Sequence, residues 1–131
     1  FAAAAAALGA RAGISDEAAR HLLAARGSRA VEVVQLLQEE RALARPLCAH
    51  HPHLRAEVVY ALRVEMARHL EDWFLRRSRL GFGPCHGLDA LEDVAALFAF
   101  ERRWDAARTR EETERCRGVL ASMAPGLGTG A

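Results

Sequence analysis

The sequence predicts an all-α fold, a compact bundle of about five to six helices around one long central helix, about Leu54–Arg79. Three observations support this prediction. Apolar side chains recur at helical spacing, no useful run alternates between apolar and polar residues, and Gly and Pro lie between the helical segments. We therefore expect essentially no β-sheet.

The composition predicts one globular domain. The chain has 131 residues, 51% of them hydrophobic, which is enough for a core. A net charge of +1 gives no global attraction for nucleic acid, so we expect no nucleic-acid partner. The cysteines, Cys48, Cys85 and Cys116, form no disulfide framework, which favours a reducing, cytoplasmic compartment. No apolar run reaches the roughly 18–20 residues of a membrane span.

The ends of the chain differ from its middle. We expect a truncated or linker-like segment at 1–13, a single helical domain at 14–123 and a flexible tail at 124–131. The alanine-rich start could equally be helical, because alanine is the best helix former. Since the first residue is Phe, we expect that the chain was cut from a longer protein.

Two helices are predicted next, joined by a tight corner. In ISDEAARHLLAARG, Ser15 is the predicted N-cap and Gly27 the stop. The segment SRAVEVVQLLQEE predicts a second helix that Ser28 opens.

The long central helix is predicted because no Gly or Pro interrupts about 25 residues. On a helical wheel one side is apolar and is expected to form the centre of the core. Its large residues are Val59, Leu62, Met66, Leu70 and Trp73. Arg63 and Arg77 also lie on this side, so we expect each to cap a helix C-terminus or to pair with an acid from a neighbouring helix.

The opposite side of this helix carries charged residues at i,i+3 and i,i+4 spacing. They are either a solvated face or a structural or docking ion network; a catalytic carboxylate is not expected. The predicted network consists of Glu57, Glu65, Asp72, Arg76 and Arg79 of this side together with Arg77 of the apolar side.

Two more helices complete the bundle. LDALEDVAALFAFERRW has an apolar stripe that ends at Phe98. TREETERCRGVLASM contains a capping box, Thr109 with Glu112, and a cysteine, Cys116, that we interpret as a small buried hydrophobe.

Two groups of residues could bind ions. The segment LCAHHPH, predicted to be a loop, holds Cys48, His50, His51 and His53, and Cys85–His86 follow later. Neither group has C-x-x-C or H-x-x-x-H spacing, so we expect no metal site. The RRSR segment could bind phosphate, but the net charge provides no surrounding positive field.

The segment AEVVYALRVEMARHLEDWFLRRSRLG, 56–81, resembles the C-terminal helical domain of FAD-dependent (aerobic) glycerol-3-phosphate dehydrogenases. That family shows E-V-x-Y-x-x-x-x-E-x-A, then D, then R-R-[TS]-R-L. Upstream, HLLAARGSRAVEVVQL is similar to the family's H-L-x-x-x-Y-G-S segment, with Arg26 where Tyr is usual. The matching positions are Glu57, Val58, Tyr60, Glu65, Ala67, Asp72, Arg76, Arg77, Ser78, Arg79 and Leu80.

The resemblance implies a parent enzyme that oxidises sn-glycerol 3-phosphate to dihydroxyacetone phosphate on FAD and passes electrons to quinone; some relatives use oxygen. It implies no catalytic, FAD-binding or metal residue in this fragment, whose sequence GLGTG, 126–130, lacks the flavin-binding G-x-G-x-x-G spacing. The expected partner is the parent's own N-terminal FAD/substrate domain or a second subunit. The parent would then lie peripherally at the cytoplasmic face of the inner membrane. The alternative is a free-standing helical interaction or regulatory module.

Overall fold

The computed structural model describes residues 1–48, 51–77 and 87–122, leaving aside the side chains of Cys48, His51, Arg76 and Arg77. The described residues form an all-α bundle with one small β-hairpin, which confirms the predicted fold class. None of the described helices is long and apolar enough to cross a bilayer. The elements are α1 Ala2–Ala12, α2 Asp16–Arg26, α3 Ala30–Glu39, β1 Pro46–Cys48, β2 His51–Leu54, α4 Arg55–Arg63, α5 Leu91–Arg102 and α6 Ala106–Ser122.

Helix α1 occupies the segment that was expected to be truncated or linker-like. Its residues Ala5, Leu8 and Ala12 are buried in one cluster with α2 and α3. At the start of α2, the Ser15 hydroxyl accepts a hydrogen bond from the backbone N–H of Ala18 at 3.1 Å, as its N-cap role predicts. The N-terminal segment therefore belongs to the packed bundle.

The predicted loop LCAHHPH is instead a short antiparallel hairpin. Strand β1 pairs with β2 so that Cys48 lies opposite His51 and Pro46 opposite Leu54, with an irregularity between Pro46 and Cys48. A two-stranded hairpin is marginal by itself. Leu47 and Leu54 are both buried, so packing against the helices stabilises it.

Helix α4 lies between two hydrophobic clusters, and every residue from 56 to 62 is buried. Val59 and Tyr60 pack with α1, α2 and α3, whereas Val58 and Leu62 pack with α5 and α6. A helix that is buried all round must have neighbours on every side. Helix α4 is thus the centre of the bundle.

Helices α4 and α5 run parallel. Arg55, the first residue of α4, forms an ion pair with Asp93 at 2.8 Å, and Arg63, the last residue, forms one with Glu101 at 2.8 Å. In each pair the two partners are 38 residues apart in sequence. The equal separation shows that the two helices run in the same direction and in the same register at both ends. The expectation that Arg63 pairs with an acid from a neighbour is confirmed.

The predicted continuous helix over Leu54–Arg79 is wrong. Helix α4 ends at Arg63, and a π-helical segment, Asp72–Arg77, follows after an irregular stretch. Met66 adopts a left-handed backbone conformation with φ 60°. Its side chain, which was expected in the core, is 67% exposed. The other large residues of that predicted stripe are buried, as are Ala67 and Phe74: Val59, Leu62, Leu70 and Trp73.

Side chains from outside α4 satisfy the backbone groups at this break. The Arg102 guanidinium donates to the carbonyl oxygens of Leu62 at 2.8 Å and Ala67 at 2.9 Å. An Asp72 carboxylate oxygen accepts from the backbone N–H groups of Arg68 at 3.3 Å and His69 at 3.1 Å. Because helix ends leave backbone groups unpaired, these contacts make the break favourable without Gly or Pro.

Helix α6 starts earlier than the predicted capping box. The Asp105 carboxylate accepts from the backbone N–H of Arg108 at 2.7 Å, so Asp105 caps the helix in place of Thr109. Thr109 is helical, and its hydroxyl donates to the Asp105 carbonyl at 2.8 Å. Cys116 is fully buried, which confirms the prediction of a small buried hydrophobe, and burial raises its thiol pKa to about 12.

Candidate functional site

Three polar side chains converge where α2, β2 and α4 meet, and we refer to them as the His–His–Glu cluster. His21 comes from α2, His53 from β2 and Glu57 from the first turn of α4. Nε2 of His21 lies 3.0 Å from Oε1 of Glu57, and Nδ1 of His53 lies 3.6 Å from the same oxygen. The two imidazole rings meet edge to face with centroids 4.2 Å apart.

Glu57 is an ionised carboxylate inside the core. It is 1% exposed, and its other oxygen accepts from the backbone N–H of Leu54 at 2.8 Å, which caps α4. Burial raises the pKa of this carboxyl group, but the interactions with His21 and His53 outweigh burial and lower the pKa to about 2. Glu57 is therefore ionised at neutral pH, and its carboxylate lies beside two imidazole rings.

A second polar contact joins the end of α2 to the break after α4. The Arg26 guanidinium forms an ion pair with Glu65 and lies over the Tyr60 ring at 5.5 Å from its centroid. The Tyr60 hydroxyl donates to Glu32 at 3.1 Å, and burial and this hydrogen bond raise the Tyr60 pKa. Arg26 stands at the position where the family that this sequence resembles usually has tyrosine. It thus contacts Tyr60 in α4 and Glu65 in the break after α4.

The described members of the predicted ion network contact partners within the domain. Glu57 contacts His21 and His53, Glu65 contacts Arg26, and Asp72 caps the backbone after the break. Glu65 therefore reaches α2 through Arg26. The side chains of Arg76 and Arg77, and all of Arg79, lie outside the described residues, so the network as a whole stays a prediction.

Of the cysteines and histidines considered for metal binding, only His53 has a described side chain. His53 points to Glu57 and His21, while Cys85, His86, His50 and the side chains of Cys48 and His51 lie outside the described residues. Sequence reasoning missed His21, because nothing in a spacing of 36 residues indicates its contact with Glu57. The i,i+4 spacing of His53 and Glu57 was a usable signal, although it crosses a strand-to-helix junction.

Chemically, the cluster offers two imidazole nitrogens and one carboxylate oxygen, atoms that bind protons or divalent metal ions. These three atoms lie within 4.8 Å of one another. Solvent reaches the cluster from one side, since the His21 side chain is 20% exposed while that of His53 is 8% exposed.

Comparison with known proteins places the chain in a family. Residues 2–109 match the family model for the C-terminal domain of alpha-glycerophosphate oxidase. The chain is 36% identical over 107 residues to a mitochondrial glycerol-3-phosphate dehydrogenase of Arabidopsis thaliana, covering 81% of this chain and 17% of the relative. It is 34% identical over 101 residues to glycerol-3-phosphate dehydrogenase 2 of Mycobacterium tuberculosis, covering 76% of this chain and 17% of the relative.

The match is to one part of longer proteins, since the aligned region makes up 17% of each of these relatives. No solved structure matches the chain significantly. The family match covers α1 to α5, the His–His–Glu cluster and the break after α4. The chain therefore belongs to the family of C-terminal domains of alpha-glycerophosphate oxidase.

Proposed function

We propose that this chain is the C-terminal helical domain of an FAD-dependent glycerol-3-phosphate dehydrogenase. Its parent oxidises sn-glycerol 3-phosphate to dihydroxyacetone phosphate, with FAD bound by the parent and electrons passed to quinone. The observation that carries this proposal is the family match over residues 2–109, supported by two glycerol-3-phosphate dehydrogenases that are 36% and 34% identical.

In this proposal the domain supports the enzyme mechanically and does not itself catalyse. Several of its charged side chains pair between elements: Arg26 of α2 with Glu65 of the break, Arg55 with Asp93 and Arg63 with Glu101. Such pairs, together with a helix buried on all sides, favour a rigid body that can brace a flavin and substrate domain. The reacting groups then belong to the remainder of the parent.

The docking surface of this body is the second part of the proposal. Exposed apolar side chains flank the Arg63–Glu101 ion pair: Val64, 46% exposed, follows Arg63, and Phe100, 81% exposed, precedes Glu101. Met66, in the same break, is 67% exposed. Large exposed apolar residues that gather in one region mark interaction sites, so we assign this face to the parent's own FAD/substrate domain.

Removal of the domain from the natural protein tests the role. We expect the 131-residue chain, which includes α1, to bind no FAD when expressed alone and to show no glycerol-3-phosphate-dependent dye reduction. The protein without this chain should lose subunit assembly, catalytic activity or both, as measured by light scattering and turnover. Turnover by the isolated domain would refute the supporting role.

The coding sequence upstream of Phe1 distinguishes this proposal from the alternative, a free-standing interaction module. A flavin-binding G-x-G-x-x-G sequence several hundred residues upstream in the same reading frame supports the proposal. A start codon close to Phe1 would refute it.

The docking face has a separate test. The Phe100→Ser exchange should weaken association between the domain and the rest of the protein. Val31→Ser is the matched control, because Val31 is also exposed (48%) but lies on α3. Equal binding by both variants would exclude this face as the contact.

A further inference from the structure

We propose that His21, His53 and Glu57 form a binding site for a divalent transition-metal ion of the zinc class. Two imidazole nitrogens and one carboxylate oxygen are a donor set that zinc prefers. All three donor atoms lie within 4.8 Å of one another. This inference stands on the cluster alone and does not depend on the proposed enzymatic parent.

The two distances from Glu57 to the histidines suit tetrahedral coordination. With metal–ligand bonds of about 2.0–2.1 Å, two ligands of a tetrahedral ion lie about 3.3 Å apart. The distances from the Glu57 Oε1 atom to the two histidine nitrogens, 3.0 Å and 3.6 Å, bracket that value. The two histidine nitrogens lie within 4.8 Å of each other, so an ion replaces the present contacts by drawing the side chains into coordination distance.

The ligands are held in place by the fold. They come from a helix, a strand and a second helix, and Glu57 is anchored by the Leu54 N–H at 2.8 Å on its other oxygen, Oε2. The His53 ring packs edge to face on the Trp73 ring with centroids 5.8 Å apart. Such outer contacts orient metal ligands and are part of a metal site's affinity.

Access and coordination number also fit. The side chains of Glu57 and His53 are 2% and 8% exposed, but that of His21 is 20% exposed, which gives an ion an entry path on the α2 side. Three protein ligands leave a fourth position for water or another donor. Without an ion, the same residues form a buried hydrogen-bonded pair with a neighbouring imidazole, and the experiment must separate these two states.

The test uses purified protein that contains the whole 131-residue chain, without a histidine tag, after removal of metals by a chelator. Zn²⁺ is added by equilibrium dialysis, and Co²⁺ is added separately because tetrahedral Co²⁺ gives a strong visible absorption band. We expect about one equivalent of either ion per chain and a tetrahedral Co²⁺ spectrum. Less than about a tenth of an equivalent of zinc would overturn the proposal.

Variants assign the ligands. His21→Ala should weaken zinc binding at least about tenfold and abolish the tetrahedral Co²⁺ band. His69→Ala is the matched control: His69 is 48% exposed and contacts Glu112 and Arg115, outside the cluster, so its binding should equal that of the natural protein. His53→Ala is a second ligand variant in case one exchange unfolds the protein, which circular dichroism reports. Unchanged binding by a folded His21→Ala or His53→Ala protein would refute the site.

Discussion

The break after α4 makes a sharp prediction for Met66. In the structure Met66 has a left-handed backbone and a side chain that is 67% exposed. In the continuous helix that the sequence pattern predicts, the same residue would be helical and buried in the core. With the left-handed backbone, Met66→Gly should therefore lower the free energy of unfolding less than Met66→Ile does. In a continuous helix, Met66→Gly should lower it more.

The magnitudes for Met66→Gly follow from these two facts. Glycine relieves about 1–2 kcal/mol of left-handed strain. Against this, it adds roughly 0.4–1 kcal/mol of unfolded-state entropy. The buried third of the methionine side chain contributes a further loss of about 0.5–1 kcal/mol. These terms nearly cancel, so we expect the free energy of unfolding to change by less than about 1 kcal/mol.

A continuous helix would give a different result. Glycine would then cost about 1 kcal/mol in helix propensity and at least about 2 kcal/mol in lost core packing, about 3 kcal/mol or more in total. Met66→Ile would cost little there, whereas it should cost roughly 1 kcal/mol at a left-handed, exposed position, because a β-branched residue is strained at positive φ.

Urea unfolding of the natural protein and its variants measures these differences. Glu111→Gly is the control, because Glu111 is exposed inside α6, where glycine should cost roughly 0.5–1 kcal/mol. If Met66→Gly destabilises by 3 kcal/mol and Met66→Ile is neutral, the left-handed assignment of Met66 is wrong.

Three further predictions concern other contacts. Arg102→Met removes the donor to the Leu62 and Ala67 carbonyls and should lower the free energy of unfolding by about 1–3 kcal/mol; no change in urea unfolding would contradict this role. The hydrogen bond from Arg63 lowers the Glu101 pKa below 4.5, so the contribution of this pair to the free energy of unfolding is complete above about pH 4.5 and is lost as the pH falls. Glu101→Gln should make the free energy of unfolding less dependent on acid pH, and an unchanged pH profile would argue against this role. Cys116, with a pKa of about 12, should react with iodoacetamide at pH 8 at least about a thousandfold more slowly than in urea, and fast labelling would contradict its burial.

The sequence allowed the helices to be predicted because their patterns are local. Ser15 capped α2 as expected, and the apolar stripe of α5 that ends at Phe98 is buried. Helix α4 begins at Arg55, one residue after the predicted start at Leu54. The error at Met66 arose because helix termination was inferred only from Gly and Pro, whereas here the terminating partner, Arg102, lies 40 residues from Leu62.

The cluster was only half predictable. His53 and Glu57 are four residues apart and were both singled out, but for different reasons, as a loop histidine and as part of a charged stripe. Their common partner, His21, becomes visible only when α2 packs against α4, since 36 residues separate it from Glu57. Rules for i,i+3 and i,i+4 pairs describe neighbours on one helix, so they do not report contacts between helices.

The parallel packing of α4 and α5 explains the contacts of the two arginines at their C-terminal ends, Arg63 and Arg102. Parallel helices bring two C-termini together, and the partial negative charges of their last carbonyls repel each other. The last residue of each helix is an arginine, and each reaches across to the other helix: Arg63 to the Glu101 carboxylate and Arg102 to the Leu62 carbonyl. These reciprocal contacts require α4 to end where α5 ends. The groups that set the length of the central helix, Arg63, Glu101 and Arg102, therefore lie outside the charged stripe that the sequence predicts. The break after this helix exposes Val64 and Met66, two of the apolar residues that we assign to docking.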